Sequence, residues 1–242
     1  MQDNAFFQEP STQRMLLDIL FIYSKLHPDI GYRQGMHELL APILWVVFCD
    51  AIEADLLSRK TVEDDLMLDV LNRQFIDHDS FTLFCAVMQT AKSFYEIGDS
   101  SSPIMERSRR IHDEYLSEVD MELANHLRAL QILPQIFLLR WIRLLFGREF
   151  DLEETLSIWD VLFAAGLSLS LVDMTCLAML LRIRVQCRKP HDPPTGSQVL
   201  TIVNSTASRP CRGATIASAL RGTASAQWTS NISARCHFPR PQ

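Results

Sequence analysis

The chain has 242 residues, of which 48% are hydrophobic and 21% charged, so it can build a sizeable core and wholesale disorder is excluded. The net charge of −6 is uneven: residues 187–242 hold seven Lys or Arg against the single acid Asp192, a net of +6, which leaves 16 bases against 28 acids, a net of −12, in residues 1–186. A body that acidic argues against non-specific nucleic-acid binding, which needs clustered positive charge facing phosphates.

The first ten residues contain no basic segment followed by an apolar one, so a signal peptide is not expected. The longest apolar run, residues 39–49, is interrupted by Pro42. It falls short of the roughly 18 to 20 residues that a membrane span requires. Six cysteines (49, 85, 176, 187, 211 and 236) form no C-x-x-C pair, and Cys49, Cys85 and Cys176 lie in apolar helical pattern as expected buried thiols. A reducing, cytosolic setting follows.

Helical periodicity dominates the chain. After Glu9-Pro10-Ser11, apolar residues Met15, Leu16, Ile19, Leu20, Tyr23 and Leu26 recur at three- and four-residue steps, and Pro28 ends that helix. A short connection over 31–34 precedes a second apolar helix that runs from Met36 into the fifties, with Pro42 near its start. An acidic stretch with Glu53, Asp55, Glu63, Asp64, Asp65 and Asp69 reads as the joint of two helices. Helices are then expected over 78–97 and 105–130, the second with Ile111, Tyr115, Val119, Leu123, Leu127 and Leu130 on one face. Residues 98–103 form the one loop-like linker within the body. Further helices run from Pro134 to Phe146, from a cap at or beside Asp151 to Ala165-Gly166, and over 168–186. The body is therefore all-α, one domain over residues 1–186.

The tail, 187–242, differs. Ser, Thr, Pro and Gly supply 22 of its 56 residues and no apolar stripe persists, so it is expected to be largely disordered. The abrupt change after Gln186 reads as alternative splicing or a misread exon. A transcript continuous across codons 186 and 187, with no junction there, would overturn that reading.

Most candidate chemistry has a plain explanation. The seven histidines match no metal-site spacing, and no serine sits in G-x-S-x-G, so no metal ligands are assigned. Glu153 and Glu154 follow Asp151 at a helix start, where acids complement the helix dipole. Arg107, Arg109 and Arg110 alternate with Glu106 and Asp113, which reads as a solvated, ion-paired face.

One segment stands apart. Gly31-Tyr32-Arg33-Gln34-Gly35-Met36-His37-Glu38-Leu39 sets a polar, glycine-flanked elbow directly before an apolar helix. Gln34 projects there from a helix N-terminus, and its amide both donates and accepts, so it can hold a water in a set orientation. On propensity alone, a plain turn with a capping glutamine remains the ordinary reading.

The elbow resembles the Y-x-Q-G-M motif of the TBC domains, helical GTPase-activating modules for Rab-type small GTPases. A second block, Arg140-Trp141-Ile142-Arg143-Leu144-Leu145-Phe146-Gly147-Arg148-Glu149-Phe150 followed by Ile158-Trp159-Asp160-Val161-Leu162-Phe163, is similar to the family's R-W-x-x-x-L-F-x-R-E-F and W-D-x-L-F signatures. The two blocks stand in the family's order. Residues 32–42, with His37 and Glu38 where most relatives carry asparagine and a different residue, are most similar to the member-5 subfamily.

The resemblance implies that Gln34 is a glutamine finger that positions the attacking water on a GTP-bound Rab, whose nucleotide site holds its own Mg²⁺. Tyr32, Arg33 and Gly35 become candidate partner-binding residues, with Tyr32 and Gly35 holding the finger's backbone. Met36 anchors the finger's helix, while Arg140, Trp141, Arg148, Trp159 and Asp160 give packing and buried polar support. No cofactor of the chain's own is implied. The expected setting is cytoplasmic, with vesicle membranes reached through partners, and the sequence leaves the oligomeric state open.

The family also supplies an arginine from an I-x-x-D-x-x-R motif several tens of residues before the glutamine. Upstream of Gln34 stand only Arg14 and Arg33, neither in that pattern. Asp3 to Gln8 resembles the stretch just after that arginine, so the chain is expected to be truncated at its N-terminus and to be a weakened activator. A non-catalytic helical module that binds a GTPase or trafficking partner is the alternative, and a gene-model fragment without an independent fold is a third reading.

Overall fold

A computed structural model describes residues 4–53, 61–96, 102–166, 169 and 171–187. The tail 188–242, with its expected disorder, lies outside the described residues. Among those described the architecture is all-α; the only β pairing is an isolated parallel bridge between Ile52 and Asn72. The helices fall in two compact units, one within Met1–Tyr95 and one within Glu96–Gln242. The division lies beside the stretch that the sequence marks as a linker, and it subdivides what reads as one domain.

In the first unit, a 3₁₀ turn (Ala5–Gln8) precedes α1 (Pro10–Leu26), α2 (Met36–Asp50), α3 (Val62–Val70) and α4 (Ile76–Ala91). α1 begins with Pro10 in its first turn, where a missing N–H costs nothing. α2 packs against both α1 and α4, burying Met36, Leu39, Leu40 and Leu44 completely. Each such side chain contributes about 1.5–3 kcal/mol by leaving water. The helix continues through Pro42, which is itself buried. Phe6 of the opening turn stacks against Trp45 and Phe48 of α2, with ring centroids 5.0 and 4.6 Å apart.

Three expectations for this unit change. Leu26, assigned to the buried face of α1, is exposed, as are Leu17 and Phe21. Cys49 is exposed rather than buried, because it falls in the last turn of α2, beyond that helix's buried stretch of 36–44. α4 stops at Ala91 and passes into a 3₁₀ turn (Lys92–Phe94) instead of continuing to 97.

The second unit opens with α5 (Pro103–Arg109), a π turn (Arg110–Tyr115) and α6 (Leu116–Val119), followed by α7 (Met121–Ala129). One helix over 105–130 was expected, but Asp120 breaks it. Its backbone is non-helical, and its carboxylate accepts the amide of Leu123 at 3.0 Å, capping α7. Arg184 holds the other Asp120 oxygen at 2.5 Å. The break turns Val119, expected on the apolar face, out to solvent.

α8 (Gln135–Arg143), α9 (Leu152–Ala164) and α10 (Leu171–Cys187) complete the unit. Asp151 caps α9 as expected, accepting the amide of Glu154 at 2.8 Å. α8 ends three residues before Phe146 because Leu145 and Phe146 both take positive φ, 44° and 67°. Each costs a non-glycine residue roughly 1–2 kcal/mol. In return both side chains are completely buried.

Arg107 and Arg110 also depart from the solvated face that the sequence suggests. The Asp173 carboxylate, almost completely buried on α10, is paired with Arg107 and lies 3.4 Å from Arg110 Nη2. Arg107 Nη2 further donates to the Leu169 carbonyl at 2.7 Å. Alternating charge along one helix cannot reveal a partner more than 60 residues away.

Candidate functional site

The elbow is built by terminating one helix and starting the next. At the end of α1, the amides of Ile30 and Gly31 both bond the His27 carbonyl, at 3.2 and 2.8 Å. Ile30 is buried, and the ring of His27 lies 4.4 Å from that of the buried Tyr23. Gly31 turns the chain at φ 62°, a left-handed conformation that a side chain would strain although the space around it is open.

The chain then crosses Tyr32, Arg33 and Gln34 and re-enters helix at Gly35, which is buried at φ 103° and is the N-cap of α2. Only glycine takes that conformation readily. The amide of Met36 donates to the Arg33 carbonyl at 3.1 Å, and the amide of Arg33 meets the Met36 sulfur at 3.3 Å. Met36 itself is completely buried, so the turn is nailed to the core through its side chain.

Gln34 is left exposed at the apex, taking no part in the helix cap. The N-cap is glycine rather than glutamine, and among the described residues no hydrogen bond of the Gln34 side chain is seen. Tyr32 is also exposed. Arg33 is half-buried, and its Nε has no hydrogen-bond partner among the described residues. Arg14, the other upstream arginine, lies exposed on α1 with Nε 2.9 Å from Asp18.

The second motif block belongs to the other unit, and there the chemistry is structural. Trp141 is completely buried, and its ring lies 5.2 Å from that of Phe137. The Trp159 indole donates to the Leu145 carbonyl at 2.8 Å, satisfying a backbone group that the left-handed turn withdraws from helix. Arg140 Nε donates to Glu149 Oε1 at 2.6 Å. Glu149 is almost completely buried, and that burial pushes its carboxyl up against the opposing pull of Arg140.

Arg148 and Asp160 do not give the buried support expected of them, since both are exposed. Each belongs to a surface turn or helix face whose neighbours Glu149 and Trp159 point inward. Sequence reasoning assigned no role to Glu149, Asp173, Asp120 or Arg184. A lone acid in the apolar run of α10 was the available signal for Asp173.

Among the described residues, no group of three or more His, Cys, Asp or Glu could hold a metal ion. No described helix is long and apolar enough to cross a membrane.

The model of the Rab-GTPase-TBC domain family matches residues 1–187 of this all-α chain. The chain belongs to that family. It is 39% identical over 203 residues to TBC1 domain family member 5 of Homo sapiens, covering 74% of this chain and 25% of that protein. It is 27% identical over 291 residues to TBC1 domain family member 5 homolog B of Dictyostelium discoideum, covering 75% of this chain and 28% of the relative. The chain thus spans about a quarter of the length of these relatives. The Ypt/Rab-GAP domain of Gyp1p shares its fold, with a TM-score of 0.62 at 20% identity over 83% of this chain and 66% of that one.

Proposed function

We propose that this chain is a GTPase-activating protein for a Rab-type small GTPase, with Gln34 supplied in trans to the partner's nucleotide. The observation that carries this reading is the elbow: an exposed glutamine amide between a half-buried arginine and a left-handed glycine, on a helix whose first turn is buried. Membership of the Rab-GTPase-TBC family and similarity to the Ypt/Rab-GAP domain support it.

In hydrolysis a water attacks the γ-phosphorus, the bond to the β–γ bridging oxygen breaks, and GDP and phosphate leave. Little covalent work falls to the activator; orientation and charge stabilisation do the rest. The Gln34 carbonyl would accept a hydrogen bond from the attacking water, orienting it, while its NH₂ donates toward the phosphoryl oxygens. Tyr32, Arg33 and Gly35 shape the surface that the GTPase meets. Nucleotide and Mg²⁺ belong to the GTPase. In this proposal the chain acts at the cytoplasmic side of vesicle membranes, with recruitment through partners.

No arginine upstream of Gln34 stands in an I-x-x-D-x-x-R pattern. An arginine finger contributes about 10³ to 10⁵ in rate, so the 242-residue chain is a weakened activator in this proposal. The same observation favours the second reading, a module that binds a GTPase or trafficking partner without accelerating hydrolysis.

The test is single-turnover GTP hydrolysis by a panel of Rab proteins, with the chain alone and with an I-x-x-D-x-x-R segment restored ahead of it. The restored form is expected to accelerate at least one Rab, and Gln34→Ala to remove about 10²-fold or more of that acceleration. An unchanged rate in Gln34→Ala would falsify the catalytic role. Saturable binding without acceleration in either form would establish the second reading.

A further inference from the structure

The elbow is closed by a side-chain contact that the motif does not announce. The Tyr32 hydroxyl lies 2.9 Å from Nδ1 of His37, so the two residues bracket Gln34 from the incoming connection and from the first turn of α2. The other imidazole nitrogen, Nε2, is 3.8 Å from Oε1 of Glu38, whose side chain is only 12% exposed. A carboxylate at that side favours the tautomer protonated on Nε2, which leaves the Nδ1 lone pair to accept from tyrosine. Partial burial and the charge on Glu38 push the Tyr32 phenol up, so tyrosine enters this contact as a neutral donor. Inside the bracket, the Met36–Arg33 backbone bond and the Arg33–Met36 sulfur contact already hold the turn. Tyr32, one residue further out, is reached only by His37 among the hydrogen bonds described.

We propose that His37 is a positioning residue, which accepts the Tyr32 hydroxyl and so clasps residues 32–37 in the conformation that presents Gln34. This rests on the reading of Gln34 as the residue that orients water; His37 itself touches neither water nor nucleotide. Geometry separates the useful substitutions. Asparagine Oδ1 and histidine Nδ1 each sit one bond beyond Cγ, so His37→Asn retains an acceptor in place. His37→Ala removes the acceptor, and Tyr32→Phe removes the donor while keeping the ring. Both partners are open to solvent, so the bond competes with water and its loss is worth about fivefold.

The experiment uses the whole 242-residue chain, alone and with the I-x-x-D-x-x-R segment restored ahead of it, and measures two quantities in Tyr32→Phe, His37→Ala, His37→Asn, the Tyr32→Phe/His37→Ala double variant and Gln34→Ala. One is kcat and KM for accelerated Rab GTP hydrolysis, and the other is amide hydrogen exchange across residues 31–38. Tyr32→Phe and His37→Ala are expected each to lower kcat about fivefold, His37→Ala with KM unchanged, and to raise exchange in the segment about as much. The double variant should be no worse than either single one, and His37→Asn should match the parent. Losses that multiply in the double variant, a His37→Asn as impaired as His37→Ala, or parental exchange in His37→Ala would each overturn the clasp. Should Gln34→Ala leave the rate of the restored form unchanged, or should no Rab respond to that form, the catalytic reading of the elbow fails, and the exchange pattern alone then decides the clasp.

Discussion

The two motif blocks do opposite work with similar economy. Around Leu145 and Phe146 the chain is bent against its preference and then over-determined: two completely buried side chains, an indole on the released carbonyl and a part-buried Arg140–Glu149 pair all enforce one shape. Around Gln34 the chain is bent where it prefers to bend, at Gly31 and Gly35, and few bonds are spent. One block stores strain to build a unit; the other avoids strain to expose an amide. Two recognisable signatures in one family can thus have unrelated physical reasons to exist.

The sharpest way to break that contrast is Trp159→Ala, which removes a large buried ring and leaves the Leu145 carbonyl unpaired. It should cost about 3–5 kcal/mol, read as a fall in the thermal midpoint followed by circular dichroism. A loss below about 1 kcal/mol would mean that the left-handed turn does not depend on the indole.

Asp173→Ala should come next, near 3 kcal/mol, because it strands Arg107, which is mostly buried, without its carboxylate. Chemical denaturation is the measurement. Replacing Arg107 and Asp173 together by apolar residues of similar volume should recover most of that loss, since the full pair is itself expensive to desolvate.

Gln34→Ala should leave stability within about 0.5 kcal/mol of the parent, whatever it does to GTP hydrolysis, because the amide is exposed and outside the cap. A larger loss would mean that Gln34 serves the fold, and the contrast between the blocks would blur.

The smallest effect is a difference in sign with pH. The Lys92 side chain, hydrogen-bonded to Asp29, holds that exposed carboxyl below its ordinary range. The stability it gives is present above the unfolded value and fades as pH falls through the folded one. Glu149 is pushed the other way by burial, so its contribution is complete below the unfolded carboxyl range and fades as pH rises through its folded value. In thermal melts between pH 3 and 7, Asp29→Asn should flatten the acid loss and Glu149→Gln should steepen it. Equal slopes in both variants would contradict this assignment.

Helical class, most helix starts and both motif blocks were legible in the sequence, because apolar period and capping residues are local signals. Pro10, Gly35 and Asp151 mark starts that the structure retains. The break at Asp120 was not legible. In a pattern of period 3.6 one acid looks like a surface position, and only Arg184 from a distant helix shows why it is buried. The same holds for Arg107 with Asp173. At the elbow, Gln34 and Gly35 could be found from motif and chain geometry. His37 could not, since a histidine after a glycine turn carries no mark of its hydroxyl partner.

The long-range pairs give the two units different schedules during synthesis. The contacts internal to the first unit need no residue beyond 95, whereas Asp120 and Arg107 wait for partners at 184 and 173. At about 5–20 residues per second, that interval is on the order of several to twenty seconds. For that time a nascent chain would carry a finished elbow beside an unfinished second unit, its buried charges still in water.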